Sequence, residues 1–241
     1  MQFKILKDSD VLHGVSEVKF GSMEDRKRAI KFLESLGYKN LKLENFVFAE
    51  QVFGNKVHVC KKEDGGREIK GVDGLITNLP NQILSIKSAD CLPILIYDKK
   101  KRVIAAIHGG RECLIKGILE RTIRKMEKEF NCQAEDLLVA IGPHIRVCHY
   151  WLKEKTYQKL KTTKFKKYFL RKDGKIYFDL TKLAIDQLLK LGVKKENVED
   201  SKICTFCQWK RFFSFRKSEE KPNVYREKNP RFVSFIGLLE F

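Results

Sequence analysis

Ser88-Ala89-Asp90-Cys91-Leu92-Pro93-Ile94-Leu95-Ile96-Tyr97-Asp98 and, after a short polar break, Val103-Ile104-Ala105-Ala106-Ile107-His108-Gly109-Gly110 are the two stretches on which the fold turns. Each is short, apolar and bounded by polar or glycine punctuation, the pattern of strands buried on both faces. Cys91 and His108 lie seventeen residues apart, each at one end of its run. If the strands are neighbours, a thiol and an imidazole meet at one edge of a sheet. That suits either a metal site or an activated thiol nucleophile, and the spacing alone does not choose between them. The plainer alternative is a small buried cysteine and a satisfied strand-end histidine.

Working outward, further strands are expected at 46–49, 56–60, 75–77, 83–86 and 137–141. After Gly109-Gly110 a helix begins, with Leu114, Ile115, Ile118, Leu119, Thr122, Ile123 and Met126 on one face and Lys116, Glu120, Arg121, Arg124 and Lys128 on the other. Ser22-Met23-Glu24-Asp25 reads as a capping-box-like start to a helix through Ala29, Ile30, Leu33 and Leu36. Another helix is expected near 181–191, ended by Gly192, and closing strands at 211–216 and 231–236. There is no repeat, low-complexity segment or obvious linker, so the expectation is one mixed α/β unit.

With 241 residues and 43% hydrophobic content, the chain can bury a full core, as one large domain or two small ones. No continuous apolar segment approaches a membrane span, and Met1 to Lys7 lacks the apolar stretch of a secretory signal. Seven dispersed cysteines fit reduced thiols, and a soluble cytoplasmic protein is expected. Cys204-Thr205-Phe206-Cys207 has a metal-like spacing but, with no partner pair in view, amounts to half a zinc knuckle and reads as structural. The net charge of +18 raises the question of nucleic acid. The lysines are spread along the whole chain, denser at 153–175 and 210–228, and no recognised binding motif accompanies them. Solvated faces are the favoured reading over a nucleic-acid partner.

The segment from Val72 to Gly110 resembles the laccase-domain family, also called the multicopper polyphenol oxidoreductase or YfiH-like family, several of whose members are purine nucleoside phosphorylases. Asp73-Gly74-Leu75-Ile76-Thr77 matches its D-A-L-x-T, Ser88 to Leu95 its T-A-D-C-x-P-V-L, and Ala105 to Gly110 its A-A-x-H-A-G. Gly142-Pro143-His144-Ile145, with Cys148 and Tyr150, is similar to the G-P-x-I motif and its trailing aromatic. Phe178-Asp179-Leu180, Cys204-Thr205 and Phe212 to Lys217 match F-D-L, C-T and F-F-S-Y-R-R in the family's order. The resemblance implies a mixed-sheet α-β sandwich, one laccase-like domain over residues 1–241, holding a zinc or copper ion with two His and one Cys. Carried over, Cys91 and His108 are ligands and catalytic residues. Where the family places its third ligand, in Q-V-H-G, this chain has Gln51-Val52-Phe53-Gly54. A phenyl ring has no lone pair to offer.

His58, His144 and His149 are the candidates for a substitute donor; His58 is expected to be an exposed strand histidine, and the other two lie in the loop after Gly142-Pro143. His13 has no context that singles it out. The family's G-W-R-G is replaced here by Gly110-Arg111-Glu112-Cys113. Free amides at that helix start would suit a phosphate, with Arg111 offering a cation and Glu112 competing for the same end. Arg216 matches the motif arginine, making Arg111 and Arg216 the substrate-binding candidates. Asp90 is a candidate to orient a ligand, or a turn former. What the resemblance implies is phosphorolysis of purine nucleosides, with a small-molecule nucleoside and phosphate as partners and adenosine deamination as a related activity. Polyphenol oxidation and the editing of peptidoglycan precursors also attach to the family. Two alternatives stay open: a metal-free Cys-His thiol hydrolase, as in the similar fold of cytotoxic necrotizing factor toxins, and a pseudoenzyme binding module.

Overall fold

The two quoted runs form neighbouring antiparallel strands in a computed structural model, which describes residues 1–7 and 10–239. In chain order the elements are β1 (Val11–Val15), α1 (Lys27–Ser35), β2 (Phe46–Ala49), β3 (Val57–Val59) and β4 (Glu68–Ile69). Then follow β5 (Gly74–Thr77), β6 (Ile83–Ser88), β7 (Leu92–Asp98), β8 (Val103–Gly109), α2 (Arg111–Ile115) and α3 (Ile118–Phe130). The remainder comprises β9 (Leu137–Ile141), α4 (Glu154–Leu160), β10 (Phe169–Lys172), β11 (Lys175–Phe178), α5 (Leu180–Lys190), β12 (Val198–Asp200), α6 (Phe215–Glu220) and β13 (Phe232–Leu238). A six-stranded mixed sheet has the order β12-β9-β7-β8-β5-β3, a five-stranded one β1-β13-β6-β2-β4, and β10 and β11 make a separate hairpin.

The alternation of side chains along β7 and β8 explains why the sheets stack. Leu95, Tyr97, Ile104 and Ala106 join Leu84, Ile86, Phe232 and Ile236 of the other sheet in one buried cluster. Ile94, Ile96, Ala105 and Ile107 point the other way, onto Leu119, Ile123 and Met126 of α3 and Leu183 of α5. On the far side of the five-stranded sheet, Phe46, Phe48, Val233 and Phe235 pack on Ala29, Phe32 and Leu33 of α1. Strands covered on both faces read as continuous apolar runs, which is why they were visible in the sequence. The result is a single-domain sandwich in four layers, helix, sheet, sheet, helix.

Three expectations are corrected. The helix after Gly110 is two helices, because Gly117 adopts φ +79°, a left-handed conformation that an α-helix cannot contain. Its apolar face is otherwise as read, with Leu114, Ile118, Leu119, Thr122, Ile123 and Met126 fully buried. The closing strand at 211–216 is a series of turns followed by α6, whose start is capped by the Ser214 hydroxyl accepting from the Lys217 amide. Ser22 does not cap α1, which begins at Lys27; its hydroxyl accepts from the Arg231 amide at 3.0 Å and ties that loop to β13.

Candidate functional site

Antiparallel pairing sets Leu92 opposite Gly109 and Pro93 opposite His108, so the residue just before β7 meets the last residues of β8. Cys91 and His108 thereby come together on the floor of one cavity of about 590 Å³. Phe53, Tyr150 and Phe215 supply its aromatic walls, and Lys87, Arg216 and Arg231 its lining cations. His108 is buried while Cys91 is half-exposed, so the thiol is the accessible member of the pair.

Asp73, which the sequence offered only as part of a motif, organises this floor. Its Oδ1 accepts from His108 Nδ1 at 2.7 Å and from the Phe53 amide at 3.1 Å. Its Oδ2 accepts from the amides of Gly54 at 2.7 Å and Val52 at 3.3 Å. One buried carboxylate thus fixes the imidazole and the Val52-Phe53-Gly54 turn together, with all four of its lone-pair directions engaged. Burial opposes charge on both partners and is outweighed. The charge interaction with Cys91 and the bond to Asp73 hold His108 well above its usual range. The His108 bond and the backbone amides hold Asp73 below the usual carboxylate range.

Asp90 organises the opposite wall. Its Oδ1 accepts from the Thr205 hydroxyl at 2.6 Å, its Oδ2 from the Arg216 amide at 2.7 Å, and its carbonyl from the Ile145 amide at 2.9 Å. Burial pushes its carboxyl pKa up. Its φ of +91° is strained for a side chain other than glycine, and the strain sits one residue before Cys91. Arg216 spans the cavity edge, stacking over the Trp151 ring at 4.4 Å and donating to the Trp151 carbonyl at 2.9 Å. Arg111 is not part of the cavity lining; it donates to Glu112 at 2.9 Å and to the Tyr150 hydroxyl at 3.1 Å. The helix that follows Gly110 is only five residues long and its first-turn acid is engaged with that same arginine, so the phosphate cradle expected there is weak.

The histidines weighed as substitute donors are otherwise occupied. His58 is half-buried rather than exposed, and its Nε2 bonds Asp64 at 2.7 Å. His144 is fully buried, its Nδ1 donating to the Gly142 carbonyl and its Nε2 accepting from the Thr181 hydroxyl. Burial lowers its pKa to about 4. His149 faces a group of cysteines elsewhere. His13 is buried and accepts from the Phe3 amide.

Residues 14–238 match the family described as multi-copper polyphenol oxidoreductase laccase. The chain belongs to that family. This laccase-family chain is 39% identical over 153 residues to a purine nucleoside phosphorylase of Bacteroides thetaiotaomicron, a match covering 62% of the chain and 57% of the relative. It is 36% identical over 159 residues to one of Clostridium acetobutylicum, covering 64% of each. The matched stretches span less than two thirds of either relative's length. YlmD from Geobacillus stearothermophilus shares the laccase-family fold, with a TM-score of 0.83 at 24% identity over 99% of this chain and 94% of that one.

The family's description implies metal, and the described residues include three groups of His, Cys and carboxylate close enough to hold an ion. At the cavity floor the donors can be tested one by one. Cys91 and His108 offer two; a catalytic centre of this type takes three from the protein. Phe53 stands in the third place, its ring centroid 5.0 Å from that of His108 in an edge-on arrangement. Asp73 and Cys113 also adjoin His108, but the carboxylate is saturated and already holds the Nδ1 proton between them. The floor does not fit the family's three-ligand metal centre.

Proposed function

We propose that this laccase-family chain phosphorolyses purine nucleosides, with the base between Phe53, Tyr150 and Phe215 and the phosphate toward Arg216. One observation carries the reading: a thiol and a carboxylate-oriented imidazole share the floor of an aromatic-walled cavity of about 590 Å³, a size that suits a nucleoside. The names of the laccase-family relatives support it. In the reaction a phosphate oxygen bonds to the anomeric carbon, the glycosidic C–N bond breaks, and the purine leaves with the electron pair and a proton. His108, kept charged by its surroundings, supplies that proton and regains one from the incoming phosphate. Asp73 fixes the ring's orientation through Nδ1. Arg111 positions Tyr150 rather than touching the nucleoside. The floor lacks the family's two-His, one-Cys ligand set, so no step is routed through zinc or copper. Free thiols and metabolic substrates of this kind support a cytoplasmic setting.

Purified protein given inosine, adenosine or methylthioadenosine with inorganic phosphate is expected to release free base and sugar 1-phosphate, resolved by chromatography. Cys91→Ala and His108→Ala are each expected to lower kcat/KM by about 100-fold or more. Wild-type protein that releases no base from any of the three sinks the reading. Ammonia release from adenosine separates deamination from phosphorolysis.

A metal-free thiol hydrolase is the second reading, favoured by the sequence of contacts from Cys91 to His108 to Asp73, the order of nucleophile, base and orienting carboxylate. Iodoacetamide labelling of Cys91 at neutral pH much faster than of the other thiols supports it, and labelling no faster than theirs discards it.

A further inference from the structure

Away from the cavity floor, the loop after β9 meets the loop that precedes α6, and four metal-binding side chains converge. Cys148 and His149 come from the first loop, and Cys204 and Cys207 from the second; their ligand atoms all lie within 4.8 Å of one another. The Cys148 and Cys207 sulfurs are 3.9 Å apart. His149 Nδ1 lies 3.2 Å from the Cys148 sulfur, 3.3 Å from that of Cys207 and 4.0 Å from that of Cys204. A tetrahedral ion with Zn–S bonds of about 2.3 Å and a Zn–N bond of about 2.0 Å sets two sulfurs about 3.8 Å apart and a sulfur and nitrogen about 3.5 Å apart. The sulfur–sulfur separation matches the first value, and the sulfur–nitrogen separations bracket the second. They are far beyond the roughly 2.05 Å of a disulfide.

We propose that Cys148, His149, Cys204 and Cys207 form a closed, structural zinc site. The Cys-x-x-Cys pair that looked like half a knuckle has its other half in an adjacent Cys-His pair fifty-odd residues earlier. A parallel β-bridge between His144 and Cys204 and the Thr205 amide donating to the His144 carbonyl bring the loops together. Three thiolates and an imidazole select a soft or borderline ion over magnesium or calcium. The His149 ring stacks on Phe206 at 4.2 Å, which fixes its orientation toward the sulfurs. The ion ties together the loops that build one wall of the cavity: Tyr150 follows His149 directly, and Thr205, next to Cys204, holds Asp90. This site stands independently of the proposed reaction.

The test is zinc content by mass spectrometry after incubation with zinc sulfate and desalting under reductant, for wild type, Cys91→Ala, Cys207→Ser and Cys204→Ser/Cys207→Ser. Wild type and Cys91→Ala are expected to hold one zinc per chain. Both serine variants are expected to bind it at least about 100-fold more weakly, beyond the loss that follows removal of an outer partner. Cobalt(II) in wild type should give the intense sulfur-to-cobalt charge transfer of three thiolates. His149→Cys keeps four donors, so it should retain the ion and strengthen that band, which separates ligand loss from misfolding. Zinc lost only in Cys91→Ala would assign the ion to the cavity floor and overturn the proposal. Wild type without zinc, or a Cys148–Cys207 disulfide persisting under the same reductant, overturns it as well.

Discussion

Phe53 sets a phenyl ring where an imidazole would complete a metal centre, on a backbone already at φ +57°. Histidine is several-fold enriched in that region over most side chains, so Phe53→His is conformationally tolerated. Made in the Cys204→Ser/Cys207→Ser background, it is expected to gain one zinc per chain that Cys91→Ala removes again; zinc counting decides it. The His108–Asp73 pair has its own signature in pH. His108 has a raised pKa, so its contribution to stability is complete below about pH 6.5 and is lost as pH rises through the folded value. Asp73 has a lowered pKa, so its contribution is present above about pH 4 and is lost as pH falls through the folded value. Asp73→Asn is expected to flatten the alkaline limb and to cost about 3–5 kcal/mol, read from urea midpoints against pH. Cys91 and His108 were legible because each ends an apolar run. The work of Asp73 was not, since it depends on a contact with a residue thirty-five positions later.

At the scale of elements, the break between α2 and α3 rests on one backbone angle. No neighbour would collide with a methyl group at Gly117, so Gly117→Ala isolates the strain of φ +79°. It is expected to destabilise by about 1–2 kcal/mol in a denaturant titration. Reading the 3.6-residue pattern straight through that glycine joined two helices into one, because periodicity survives a kink that keeps both faces aligned. Phe212, Phe213 and Phe215 misled in the other direction. Aromatic runs favour strands, yet here the first two are buried in turns and Ser214 starts a helix at the third. The β10–β11 hairpin and β12 left little trace, being short and largely exposed or half-buried.

Across the whole molecule, the net charge of +18 and the cavity have opposite characters. The cavity is lined by Glu24, Glu50, Glu68, Asp90 and Glu219 against Lys87, Arg216 and Arg231. Lys87 is further drawn into ion pairs with Glu24 at 2.9 Å and Glu68 at 3.7 Å. A polyanion should therefore bind the outer surface without reaching the floor. Duplex DNA is expected to associate weakly at low salt, to be released by about 200 mM salt, and to leave nucleoside turnover unchanged at both. Fluorescence anisotropy and the base-release assay run side by side check this. No helix among the described residues is long and apolar enough to cross a membrane.

The placement of β13 governs how the chain can assemble during synthesis. β13 lies between β1 and β6, pairing Val11 with Leu238 on one side and Ser88 with Phe232 on the other. The last of the described strands is thus an inner strand of its sheet, while all six strands of the other sheet precede it in the chain. Until β13 emerges, β1 has no neighbour and one edge of β6 stays open, a template for pairing with other nascent chains. The six-stranded sheet carrying Cys91 and His108 can form early, but its second face is fully covered only once Phe232 and Ile236 of β13 join Leu84 and Ile86 on it. Growing polypeptides of this kind are natural clients for a chaperone at the exit tunnel.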